Sequence, residues 1–293
     1  MMTTFKLFVK EKDPKKLGSF LMKNGFSKQA INKSKHHGGM ILVNHKRRYT
    51  SYHLNEGDEV FFITGQEKEN PWLKPSHNPI EIIKETKNYV IVNKPAGVLS
   101  IPSRYDDSDA VVNRLMGYFQ LKGKNIKPHV ITRLDRNTSG LVLVGKNAVA
   151  HACFSKYDKD IFIKKYHAIV HGKFEKKTGI VDKPIGKKDS SVKRAIIANG
   201  KMAQTAYQVL KEKTAASLVE LRLFTGRTHQ IRVHMKSIGH ILYGDELYGA
   251  EDNFNRQALN CFYLKFPDPF TKETVEIKID DPQDMKKLWT NLG

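Results

Sequence analysis

Apolar residues in the first sixty positions fall at helical spacing and then give way to short alternating runs. Leu17, Phe20 and Leu21 mark one helical face, and Asn24-Gly25 is its stop. Ser27 can cap a second short helix that carries Ala30 and Ile31. Gly38-Gly39 leads into a strand, MILVN, then a basic turn, His45-Lys46-Arg47-Arg48, and a closing strand, GDEVFFI. Residues 14–62 therefore predict a compact module of two helices and small strands. Residues 65–78, GQEKENPWLKPSHN, are polar, hold two prolines and lack periodicity, and predict a linker in which Trp72 docks on a domain surface.

From Pro79 the pattern changes to many strands joined by short connections. IEIIKETKNYVIVNKPAGVLS predicts two strands followed by a turn at Lys94-Pro95-Ala96-Gly97. Residues 109–119 have helical spacing, Lys122 to Lys127 form a basic loop, and a helix is expected from about Asn147 to Tyr157. Residues 161–174 predict a strand with Tyr166 near its middle, and residues 203–211 and 217–225 predict two more. The last runs into Thr225-Gly226-Arg227-Thr228-His229-Gln230-Ile231-Arg232-Val233-His234, which opens a helix ending near Gly239. A turn-rich loop at 241–249, strands at about 259–266 and 274–280, and a helix from Pro282 to Leu292 complete the chain. Few helices between many strands argue for an α+β class with a large, mainly antiparallel mixed sheet. The expected organisation is a small domain at 1–64, a linker at 65–78 and a large domain at 79–293.

The segment ITRLDRNTSGLVLV, residues 131–144, concentrates unusual chemistry. Asp135 stands between Arg133 and Arg136 on a turn-forming run, Asn137 to Gly140, and Leu141 to Val144 predict a buried strand directly after it. An acid beside opposite charges favours its ionised form, which suits a nucleophile or proton acceptor. On these residues alone a structural ion pair or turn cap is the favoured reading. Lys94 could form a Schiff base, but nothing around it argues for a lowered pKa, so it is expected to contact phosphate from its loop. Arg227 and Arg232 lie at and just inside a helix start, where anions bind. His229 and His234, on the same helix opening, are expected to be structural.

Composition narrows the class. The 293 residues are 40% hydrophobic and 27% charged, and no apolar run approaches the roughly 18–20 residues of a membrane span. The opening residues lack a signal-peptide core, and Cys153 and Cys261 are far apart with no metal-ligand spacing, so a reduced, cytoplasmic protein is expected. Net charge is +20, and residues 1–78 already carry 14 Lys plus Arg against 7 Asp plus Glu. A polyanionic partner spread over both parts, RNA or DNA, explains this better than an anionic membrane, for which no amphipathic anchor is present. Lys28 and Lys33 beside the second helix, and Arg47 in the basic turn, are the candidate phosphate contacts of the small domain.

Residues 14–62 resemble the small alpha-L RNA-binding domain of ribosomal and RNA-modifying proteins, with His45 in place of the usual hairpin Gly and Lys28 where Arg often follows the capping Ser. Four later blocks, VNKPAGVLS, RLDRNTSGLVLVGK, KKYHAIVHG and TGRTHQIRVHMKSIGHILYGDELYG, are similar to the RluA family of RNA pseudouridine synthases and span nearly all of 80–293. Thr132 stands where the family commonly has His, and Asn137 where it has Asp. The resemblance implies a pseudouridine synthase fold with a central cleft and flanking helices. It implies isomerisation of a uridine in RNA: the glycosidic carbon–nitrogen bond breaks, the uracil rotates, and a carbon–carbon bond forms to the same ribose. No cofactor and no metal are implied.

In this reading Asp135 is the catalytic aspartate, acting by attack on ribose, addition to uracil or proton abstraction. Arg227 is its charge partner, and Tyr166 lies against the uracil. Arg133 enters the RNA stack as the uridine flips out, Ile231 walls the uracil pocket, and Arg232 is a phosphate or structural contact. The expected partner is large-subunit ribosomal RNA, with the protein a monomer. Transfer RNA is the alternative substrate. A vestigial RNA-binding or ribosome-assembly factor and a uracil-releasing hydrolase are the alternative classes.

Overall fold

Phe26 lies 4.2 Å from Phe62 and 5.4 Å from Phe5 between ring centroids, and the first 65 residues fold around this cluster. The computed structural model describes residues 3–36, 38–65, 73–103, 108–157, 161–188 and 192–293; Trp72 and half of the expected linker lie outside them. The small domain consists of β1 (Thr4–Phe8), α1 (Leu17–Lys23), α2 (Lys28–His36), β2 (Met40–Val43), β3 (Lys46–Arg47) and β4 (Glu59–Ile63). Its sheet is antiparallel with order β1-β4-β2-β3. Leu17, Phe20 and Leu21 are fully buried, as their spacing predicts. Ser27 Oγ accepts from the Ala30 N–H at 3.1 Å, capping α2. β1 is an addition to the expected elements: it buries only Phe5, so its alternation is faint.

The chain divides into two compact units, one of residues 1–91, 101–132 and 143–157, the other of 92–100, 133–142 and 158–293. Beyond the small domain, the first unit holds β5 (Glu81–Glu85), part of β6 (Tyr89–Lys94), α3 (Val111–Leu121), β7 (His129–Val130), the end of β8 (Ser139–Gly145) and α4 (Ala148–Phe154). Its strands run β8-β6-β5, with β7 antiparallel on β8. α3 buries Val111, Leu115 and Phe119 at four-residue intervals. No helix among the described residues is long and apolar enough to cross a membrane.

The second unit adds β9 (Ile163–His171), β10 (Thr178–Asp182), β11 (Ile185–Gly186), β12 (Ala195–Ile196), β13 (Gln204–Glu212), β14 (Ala216–Leu223), α5 (Gln230–Ser237), β15 (Leu259–Pro267), β16 (Thr274–Lys278) and α6 (Gln283–Asn291). Its strand order is β10-β13-β14-β9-β15-β8, with β16 also on β15 and a separate β11–β12 pair. β15 runs parallel to β8 and antiparallel to β9, so the sheet is mixed and mainly antiparallel, as expected. β10 and the β11–β12 pair are further additions.

Two local features set the stage for chemistry. Every residue of β8 is buried, and at its start Gly140 has φ +114° beside Cys261. A side chain there would run into the Cys261 backbone, so only glycine lets β8 close onto β15. Between β9 and β15 the register shifts, from Asn260 opposite His167 to Tyr263 opposite Lys165. Cys261 and Phe262 thus face the single residue Tyr166, the two-against-one count of a β-bulge.

Candidate active site

The loop entering β8 carries Asp135, and its backbone is held from several sides. The Thr138 N–H donates to the Asp135 carbonyl at 3.1 Å, closing the turn. Ser100 Oγ accepts from the Leu134 N–H at 3.1 Å and donates to its carbonyl at 3.0 Å. Lys94 Nζ donates to the carbonyls of Pro95, Val98 and Arg136 at 2.9, 2.7 and 2.8 Å. Lys94 is fully buried, which corrects the expectation of a phosphate contact: its ammonium ties the 94–98 turn to the Asp135 loop. A charge this deep is tolerated because carbonyl oxygens replace its hydration.

The Arg232 guanidinium stands within ion-pair reach of Asp135. Its Nη1 lies 3.8 Å from Asp135 Oδ2, while Nε and Nη2 grip Asp245 at 2.8 and 2.6 Å. Arg232 and Asp245 are both buried, and the Asp135 carboxylate is about one-third exposed. Arg227, the partner expected from the sequence, points elsewhere. Its Nε donates to the Met202 carbonyl at 2.9 Å, and its N–H donates to Gln230 Oε1 at 2.9 Å. The reason is local. His229 adopts a left-handed φ of 57°, α5 then begins at Gln230, and the turn leaves Arg227 outside the helix while Arg232 faces inward. Arg232 is therefore buried and charge-paired, which fits the structural side of its expected role. Asp245, missed in the sequence, is recognisable only as the first of two adjacent acids, Asp245-Glu246, in the otherwise apolar turn ILYGDELYG.

Tyr166 is buried at the bulge, opposite Cys261, whose thiol donates to the Tyr263 carbonyl at 3.9 Å. Burial first, then the thiol and the nearby charge of Asp135, hold the phenol well above its ordinary pKa. Burial likewise pushes the Cys261 thiol up to about 11. Both groups therefore stay protonated at neutral pH.

Around this centre, Tyr248 lies under the Arg232 guanidinium at 4.8 Å, and its hydroxyl meets His229 Nδ1 at 2.9 Å. Burial lowers the His229 pKa, with Asp135 opposing. His234 is buried between Thr205 Oγ1 and the Lys183 carbonyl at 2.9 and 3.0 Å, a structural placement. Ile231 is buried in the first turn of α5, and Arg133 is exposed on the loop. Thr132 is buried, with its hydroxyl accepting from the Leu143 N–H at 2.9 Å. In the small domain Lys28 and Arg47 are both exposed.

A loop carboxylate facing a locked guanidinium, with a buried, protonated phenol beside it, can attack, add or exchange protons at one bound base. Residues 88–237 match the family model described as RNA pseudouridylate synthase. The chain belongs to this family. The synthase is 38% identical to the uncharacterized RNA pseudouridine synthase YjbO of Bacillus subtilis, over 90% of its own length and 94% of the relative's. It is also 38% identical to ribosomal large subunit pseudouridine synthase D of Zymomonas mobilis, over 76% and 77% of the two chains. In structure it resembles human RNA pseudouridylate synthase domain containing 1, with a TM-score of 0.60 and 26% identity over 71% of this chain and 85% of that one. The synthase is an isomerase of the RluA type with an RNA substrate and the α+β pseudouridine synthase fold.

Proposed function

We propose that the synthase isomerises specific uridines of large-subunit ribosomal RNA, with Asp135 as the essential carboxylate. The observation that carries the site is the line Asp135–Arg232–Asp245: a buried acid fixes the guanidinium that faces the loop acid. The RNA assignment draws on the relatives named ribosomal large subunit pseudouridine synthase D and on the +20 net charge. Residues 1–64 form the RNA-gripping domain, 65–78 the connection and 79–293 the catalytic domain of a monomer working in the cytoplasm.

The reaction conserves every atom. The uridine N1–C1′ bond breaks, C5 of the turned uracil bonds to C1′, the C5 proton leaves and N1 ends protonated. Asp135 stays placed while the base turns, because Arg232 and the loop's hydrogen bonds fix it. Tyr166, protonated at rest, passes a proton only by receiving one, so it works as a relay rather than a standing base. Exposed Arg133 fills the gap left by the flipped nucleotide, where a guanidinium plane can stack. Ile231 walls the base, and Lys28 and Arg47 contact phosphates.

The target is tested by mapping pseudouridine in total RNA from cells with and without the gene. Loss of sites in large-subunit ribosomal RNA is expected. Losses confined to transfer RNA would overturn the ribosomal assignment.

A further inference from the structure

The loop that carries Asp135 is also held by a buried guanidinium with no part in the chemistry at the base. Arg256 is 7% exposed, and its Nε and Nη2 form a fork on Asp284 at 2.6 and 3.0 Å. Its remaining nitrogen, Nη1, donates to the carbonyls of Gln257, Leu259 and Asn137 at 3.1, 3.3 and 3.2 Å. The first two of these carbonyls are near neighbours in the chain. The third belongs to the turn that begins at Asp135. Gln257 Nε2 donates to Thr138 Oγ1 at 3.2 Å, so adjacent residues of one segment hold adjacent residues of the loop.

Asp284 is a fixed post for this arm. It sits in the first turn of α6, where a negative charge is favoured, and its Oδ1 accepts from the Met285 N–H at 2.8 Å. Met285 is buried in a cluster with Ile169, Tyr243 and Ala258, which pins the helix start. The same segment bears on the other carboxylate of the site. Gly244, at φ +69°, precedes Asp245, and any side chain there would run into the carbonyls of Phe254 and Arg256. The Arg256 segment thus supports the Asp135 loop on one side and the Asp245 turn on the other.

Taking a guanidinium out of water is costly, and well-packed apolar residues often replace a buried pair without loss of stability. An arm that ends on the catalytic turn gives this pair a use beyond stability. Resting on the reading of Asp135 as the essential carboxylate, we propose that Arg256, held by Asp284, is a positioning residue. It sets the placement of Asp135 relative to Arg232. Misplacement of a reacting group by about 1 Å costs on the order of 10²-fold in rate.

The test is single-turnover pseudouridine formation by the full chain on total RNA from cells lacking the gene, at the sites the wild type modifies. Arg256→Lys removes the fork, and Asp284→Asn removes the charge that orients it. Because the Asp284 side chain is 45% exposed, the second variant remains decisive where the first fails to fold. Each folded variant is expected to lower the maximal rate constant about threefold or more, with the half-saturating enzyme concentration unchanged within about twofold. A smaller fall in either folded variant, or a fall that moves with half-saturation, overturns the proposal. Asp135→Asn runs alongside: a variant with wild-type rate would remove the reading of Asp135 and this proposal with it, whereas an inactive one leaves the Arg256 result to stand alone.

Discussion

Arg232 Nη1 stands 3.8 Å from the Asp135 carboxylate while the other face of the same guanidinium is bound at 2.6 and 2.8 Å to Asp245. One planar group thus joins an accessible acid to a buried one. Lysine, a point charge, cannot span both. Arg232→Met leaves Asp245 buried without a partner and is expected to cost about 3–5 kcal/mol of stability. Arg227→Met, losing one hydrogen bond to Met202, is expected to cost about 1 kcal/mol. Urea unfolding of the two variants checks the contrast, and equal losses would contradict it.

Tyr166→Phe keeps the ring in the bulge and removes only the relay. The rate constant is expected to fall about 10²–10⁴-fold with RNA binding unchanged. Since burial holds the phenol well above its ordinary value, the wild-type rate should show no limb from Tyr166 ionisation up to pH about 10. A descending limb near neutral pH that disappears in Tyr166→Phe would contradict this.

Lys94→Met tests the corrected role of that residue. Three carbonyls lose a charged donor in a buried site, and a stability loss of about 2–4 kcal/mol is expected. Thermal melting measures it. RNA affinity of the folded variant should match the wild type; a variant of full stability that binds RNA less tightly would restore the phosphate-contact reading.

Lys28→Ala with Arg47→Ala tests the small domain. Both residues are exposed, so stability should change by less than about 0.5 kcal/mol. RNA affinity should drop, and the slope of log affinity against log salt should become shallower by about 1 for each phosphate that is no longer neutralised. An unchanged slope would place the RNA elsewhere.

Much of this architecture was legible in the sequence where one physical signal dominated. Leu17, Phe20 and Leu21 share a helical face and are fully buried; Leu141 to Val144 form an unbroken apolar run and lie in a fully buried strand. Asp135 and Tyr166 were singled out by motif blocks, and the roles proposed for them rest on that resemblance. What escaped depended on partners far along the chain. Whether Arg227 or Arg232 turns inward is decided by a helix that starts only at Gln230, and by Asp245, thirteen residues beyond Arg232. A lysine before Pro-Ala-Gly looks like a surface cation until three carbonyls, one of them from Arg136, close around it. Edge strands such as β1 bury too little to show a period.

The central claim is that one carboxylate, Asp135, is indispensable to pseudouridine formation. It is tested most directly by adding wild-type protein or Asp135→Asn to RNA from cells lacking the gene, then mapping pseudouridine by mass labelling. The expected result is restored sites with the wild type and none with Asp135→Asn, although the variant folds and binds the RNA as tightly. Pseudouridine at wild-type sites made by Asp135→Asn would contradict the account.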